Sequence, residues 1–321
     1  LSYDIIGDIH GQADKLEALL RRMGYQEKAG CWRHPGRTAI LVGDFIDRGP
    51  YQLRSVTTAR RMVEAGAALA IMGNHELNAI AWHTPDPDDH DEYLRPHFSK
   101  KWGEMNRKQH ERFLAEVEDQ PEVHREVVEW FLTLPLWLDL PGIRVVHACW
   151  HPKFMEWLSP QLSDANTLGL DLLPGATREP DDEAEKDNAT PSIFKAVEAL
   201  TKGIEIPLPP GHSFLDKDGI ERRRVRVRWW DSESSTYRNA AMFSEEFQSG
   251  LPGEPIPSHA MILPPTDKPI FFGHYWLTGI PDVLSPNAAC VDYSAGKGGP
   301  LVAYRWDGES RLTSKNLVLA D

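Results

Sequence analysis

The sequence is poor in cysteine. Cys31, Cys149 and Cys290 form an odd set, far apart, with no CxxC pair. That argues against a disulfide framework and a structural zinc site, and for a reducing compartment. Long apolar runs are also missing, so nothing here is expected to span a bilayer. The opening residues, LSYDIIGDIHG, read straight into a strand, without the basic-then-apolar pattern of a secretory leader. A cytoplasmic location is therefore expected. Internal repeats are absent. Basic residues are outnumbered, 35 Lys and Arg against 48 Asp and Glu, for a net charge of -13. This balance disfavours membrane surfaces and stable nucleic-acid binding. An acidic chain still binds an anionic substrate if positive charge, such as bound divalent cations, is concentrated at the site.

What remains is a soluble globular composition, with 41% hydrophobic residues over 321 positions, enough to bury a sizeable core. The first third alternates strand and helix. Tyr3–Ile6, Thr38–Val42 and Ala67–Met72 read as apolar strands. Leu16, Leu19, Leu20 and Met23 recur at helical spacing before Gly24, and Leu53, Val56 and Val63 mark a second helix before Gly66. Residues about 80–132 are expected to be helical in part, chiefly from about 99. Leu136–Leu140 and Ile143–Val146 read as a hairpin through Pro141-Gly142. Residues about 155–265 are irregular and rich in Pro, with one helix expected at Ile193–Leu200. They are expected to decorate a single domain spanning 1–321 rather than to fold separately. Strands resume at Ile270–Phe272, Ala288–Val291 and Leu301–Trp306.

Each early strand ends in a Gly-containing polar loop: Gly7-Asp8-Ile9-His10-Gly11, Gly43-Asp44-Phe45-Ile46-Asp47-Arg48-Gly49 and Gly73-Asn74-His75-Glu76. His147-Ala148 and Gly273-His274 follow later strands in the same way. In α/β folds, chemistry gathers at the carboxyl ends of strands. Small neighbours let the backbone approach a ligand closely. Carboxylate, imidazole and amide oxygen together suit manganese, iron or zinc.

GDIHG, GDFIDRG, GNHE, a lone His after a strand and a final GH, in this order, resemble the calcineurin-like metallophosphoesterases. Their phosphoprotein-phosphatase branch, with Ser/Thr protein phosphatases and bacterial dinucleoside tetraphosphatases, is the most similar. The likeness is dense over residues 3–78, returns at 131–148 and 270–306, and is thin between 155 and 265. It implies a four-layer α/β sandwich, two mixed β-sheets flanked by helices. It also implies two divalent ions, with manganese expected and iron, zinc, nickel or cobalt as alternatives. Carried over by position, Asp8 and His10 would bind the first ion, and Asn74, His147 and His274 the second. Asp44 would bridge them. Arg48 would hold the substrate phosphate. His75 would protonate the leaving oxygen, oriented by Asp47. The implied chemistry is direct hydrolysis by a metal-bridging hydroxide. The substrate would be a phosphomonoester, phosphoprotein or small molecule, with a dinucleoside polyphosphate as the alternative.

Many phosphodiesterase and nuclease relatives end in GHxH, whereas Tyr275 and Trp276 follow His274 here. That counts against a phosphodiesterase or nuclease. A non-catalytic binding protein would be expected to have lost ligands, and none is missing. Trp230-Asp231-Ser232 loosely resembles the WSDP-like segment of animal phosphatases, which would make Arg238 a phosphate contact, although the spacing differs. Arg222, Arg224, Arg226 and Arg228 would share one strand face; pairing with acidic loops is preferred to a phosphate contact. The run Asp86–Glu92 reads as a solvated loop, and Cys149 as a small buried apolar residue.

Overall fold

The computed structural model describes all residues except 181, 216–218, 220, 232 and 321. Two mixed sheets form its centre. The first runs in the order Leu317–Ala320, Leu301–Trp306, Tyr3–Ile6, Thr38–Leu41, Ala68–Ala70. Tyr3–Ile6 is parallel to Thr38–Leu41, with Ile5 opposite Ile40, and antiparallel to Leu301–Trp306, with Ile5 opposite Tyr304. The second sheet is Ala288–Cys290, Ile270–Phe272, Ile143–Val146, Trp137–Leu140. Its first three strands are parallel, and the last closes an antiparallel hairpin through Pro141-Gly142.

Strand periodicity explains how the layers pack. Side chains two residues apart share a face. Ile5, Ile40, Val42, Val145, Phe271, Val291 and Tyr304 fill the cluster between the sheets. Their neighbours Ile6, Leu41, Val146, Phe272 and Cys290 belong to the larger cluster shared with the helices. Both faces are therefore buried, which is why these strands read as continuous apolar runs rather than alternating ones. Truncating Phe271, which is fully buried, to Ala would cost about 3–5 kcal/mol.

Helix Ala13–Arg22 buries Leu16, Leu19 and Leu20, and Gly24, at φ 91°, turns the chain back beyond it. Helix Gln52–Glu64 has its first amides, of Gln52 and Leu53, satisfied by the Glu116 carboxylate at 2.7 and 2.8 Å. The helical stretch expected up to 132 consists of Gly103–Val117 and Pro121–Leu132, with Pro121 opening the second, where a missing N–H costs nothing. No helix among the described residues is long and apolar enough to cross a membrane.

The 155–265 segment is more ordered than its composition suggests. Helices Pro152–Leu158 and Ile193–Lys202 contribute Phe154, Leu158, Val197 and Leu200 to the large core. Beyond them, Ile206, Val225, Val227, Leu251 and Ile256 form a satellite cluster. Arg224 and Arg226 lie on a three-residue strand, as the shared face requires, and bond Asp187 and Glu205 respectively. Arg228 donates to Asn239 O instead. Arg178 pairs with Asp86 and Asp88, tying the acidic loop down. Ser232 lies outside the described residues.

Candidate metal centre

The five polar loops meet at one end of the sandwich, at the carboxyl ends of their strands. Six of the eight non-glycine residues with positive φ among the described residues gather around this point: His10, Asp44, Asp47, His274, Trp276 and Ser294. Such conformations cost energy and persist only where the surroundings impose them, typically at functional sites. Close approach is imposed too. A Cβ on Gly73 would collide with Asp44 Oδ1, and one on Gly273 with Asp8 Oδ1.

Asp44 lies at the centre, almost fully buried. Its Oδ2 is 3.6 Å from His10 Nε2, 3.5 Å from His147 Nε2 and 3.9 Å from His75 Nε2. Its Oδ1 accepts from the His75 amide at 3.0 Å. Two groups of potential ligands share this carboxylate: His10, Asp44 and His75, and Asp44, His147 and His274. Asn74 joins the second, its Oδ1 2.9 Å from His274 Nδ1 and 3.2 Å from His147 Nε2. Asp8 packs alongside, with Oδ2 accepting from the His274 amide at 3.0 Å.

The donor set fits a cation. His10 Nδ1 donates to Ile46 O at 2.8 Å, so its Nε2 keeps a lone pair. His147 Nδ1 donates to Val42 O at 2.7 Å, so its Nε2 lone pair faces Asn74 Oδ1 and Asp44 Oδ2. Acceptors then face acceptors in a buried space, an arrangement relieved only by a proton or a metal ion. Asp8 Oδ1, His10 Nε2 and His274 Nε2 are buried without hydrogen-bond partners. Burial alone would depress His147, but the Asp44 carboxylate holds it up at about 10. Burial, and then His75, push His10 down to about 4. Burial and the Asp292 and Asp44 charges drive Asp8 well above the usual carboxylate range. A divalent ion would resolve these opposed tendencies, since it favours deprotonated ligands throughout.

Every residue expected at the metals is therefore brought together. Asp47 and His75 also meet, with His75 Nδ1 2.6 Å from Asp47 Oδ2. Arg48 is exposed at the rim, its guanidinium 5.5 Å from the Trp276 ring. Arg238 lies in the insertion on helix Tyr237–Ala240, where its Nε donates to Leu251 O. Cys149 is fully buried, and burial pushes its thiol up.

Residues 1–152 match the family model of the calcineurin-like phosphoesterases. Residues 1–152 resemble a calcineurin-like phosphoesterase domain. It is 42% identical over 76 residues to the bis(5'-nucleosyl)-tetraphosphatase PrpE (asymmetrical) of Halalkalibacterium halodurans, covering 23% of this chain and 31% of the relative. It is 38% identical over 96 residues to the symmetrical bis(5'-nucleosyl)-tetraphosphatase of Hamiltonella defensa, covering 28% and 31%. The matches thus span about a third of these relatives' lengths. Among solved structures, the cold-active protein-tyrosine phosphatase of a Shewanella species aligns at a TM-score of 0.46 and 18% identity, over 100% of this chain and 80% of that one.

Three further residues, Glu76, Asp292 and His110, shape the centre without having been given a role by sequence. Glu76 accepts from the amides of Asp44 at 2.7 Å, Phe45 at 2.8 Å and Gly73 at 2.9 Å, clamping two ligand loops together. Burial pushes it up to about 7. Its place in Gly-Asn-His-Glu was the available signal. Asp292 accepts from Trp276 N at 2.7 Å and Ser294 N at 2.9 Å, holding the loop after His274. His110 Nδ1 lies 2.7 Å from Asp47 Oδ2. It comes from helix Gly103–Val117, where no local motif marks it.

Proposed function

We propose that this chain is a metal-dependent hydrolase of phosphate esters and anhydrides. The observation that carries it is the buried Asp44 carboxylate shared by two groups of potential ligands, in which His10 Nε2 and His274 Nε2 have no hydrogen-bond partner. Asp8 and His10 would hold one divalent ion, and Asn74, His147 and His274 a second, with Asp44 common to both. Manganese suits this oxygen and imidazole set. When bound, such a pair supplies an activated water and neutralises charge on the phosphoryl oxygens.

The remaining steps belong to the chain. Arg48, exposed at the rim, takes non-bridging oxygens of the substrate phosphate. His75 delivers a proton to the leaving oxygen. Asp47 accepts from His75 Nδ1, which fixes the ring and leaves Nε2 facing the centre. Asp44 and Asp47 hold His75 above its ordinary value, although burial opposes them. The ring therefore keeps the proton it must give.

The substrate is a phosphomonoester or a phosphoanhydride. Two curated relatives are dinucleoside tetraphosphatases by name, which supports the anhydride reading over the segment they share with this chain. Purified protein supplied with manganese should be assayed on para-nitrophenyl phosphate, phosphopeptides and diadenosine tetraphosphate. Turnover that chelator abolishes and metal restores is expected. Turnover of the tetraphosphate alone would remove the monoester reading, and turnover of none would remove the proposal.

A further inference from the structure

Trp276 stands where a second metal-ligating His would follow Gly273-His274. Its indole stacks on the His10 ring, with centroids 5.0 Å apart and planes 25° from parallel. Its amide is fixed by Asp292 at 2.7 Å. Among the described residues, two cations approach this ring: Arg48 Cζ at 5.5 Å and Lys297 Nζ at 4.5 Å from its centroid.

Lys297 is placed, not merely nearby. It ends the short 3-10 turn Ala295–Lys297. That turn packs on the centre: a Cβ on Gly296 would lie 3.0 Å from both Arg48 Cγ and His10 Cβ. Asp292 holds the start of the turn through Ser294 N at 2.9 Å, and Lys15 holds its end through Gly299 O at 2.6 Å. Neither Arg48 nor Lys297 forms an ion pair among the described residues. The indole ring attracts each cation, and an anion within reach of both would gain charge-assisted contacts.

Arg48 is already assigned to the phosphate at the metal ions. We propose that Lys297, with Arg48 across Trp276, forms a subsite for a second phosphate group adjoining the one attacked, so that the centre is built for phosphoanhydride chains. This deepens the hydrolase proposal and rests on it. A monoester leaves the subsite unused. A polyphosphate chain places its next phosphate against the Lys297 ammonium, where charge-assisted hydrogen bonds favour it.

The test compares two non-hydrolysable probes, methylphosphonate and methylenediphosphonate, by calorimetry on the manganese-loaded protein at matched free manganese. The wild-type chain should bind the diphosphonate about tenfold tighter or more, the scale of one hydrogen bond to a charged group. Lys297→Gln should bring the two within about threefold while leaving methylphosphonate unchanged, and Lys297→Arg should restore the difference. Equal affinities in the wild type, or a preference that survives Lys297→Gln, would overturn the subsite alone. So would a parallel loss for both probes in that variant. Failure of both probes to bind the wild type would overturn the hydrolase proposal and the subsite with it.

Discussion

His75 Nδ1 and Asp47 Oδ2 lie 2.6 Å apart, in a pocket where both side chains are almost fully buried. Burial would raise Asp47, but His110 and then His75 hold its carboxyl below the usual range. The carboxylate is thus charged and tied to the imidazole that faces Asp44.

If His75 protonates the leaving oxygen, its loss should depend on how much the leaving group needs that proton. His75→Asn should lower kcat on phenyl phosphate by about 10²-fold or more, and on para-nitrophenyl phosphate by much less. Asp47→Asn should follow the same pattern with KM nearly unchanged. Equal losses on both substrates would show that the pair only shapes the loop.

Glu76 makes a prediction about stability. Its carboxylate satisfies three buried amides, on Asp44, Phe45 and Gly73. Leaving buried donors without acceptors costs about 1–3 kcal/mol each. Glu76→Ala should therefore lose at least about 3 kcal/mol in denaturant titration, together with metal affinity. A midpoint matching the wild type would mean that the loops hold without the clamp.

The acid side of the stability profile has a named source. His124 and His151 are both pushed down to about 4 by burial, with His83 adding to the effect at His124. Between their ordinary value near 6.5 and about 4, the unfolded chain binds protons that the folded chain refuses. Their contribution is complete above pH 6.5 and is lost as pH falls through about 4. The melting temperature should drop across that window, and His124→Leu should flatten the drop. An unchanged slope in that variant would acquit His124.

Much of this was legible before any coordinates, because the ligand loops carry their signal locally. Asp8, His10, Asp44, Asn74 and His75 each follow an apolar strand within a few residues. Strands buried on both faces, such as Thr38–Leu41 and Ile270–Phe272, announce themselves as apolar runs. What escaped reading lacks such contrast. Helix Asn74–His83 buries nine of its ten residues, so it shows no amphipathic period, and its first turn, Asn74-His75-Glu76, read as a loop. The edge strand Leu317–Ala320 is four residues long and half-exposed over three of them. The hairpin Gln26–Lys28 with Cys31–Arg33 turns on Ala29 at φ 53°, where sequence offers only Gly30 as a hint. His110 reaches Asp47 from 63 positions away, a contact that only the folded helix packing creates.

Metal content in the wild type and in Asp44→Asn, measured beside turnover on the same samples, tests the shared carboxylate most directly. Elemental analysis of manganese-loaded protein should find two ions per chain, and the variant should keep one or none while losing about 10³-fold or more in kcat. Full activity in metal-free protein held in chelator, or a variant that retains both ions and turns over normally, would contradict the account.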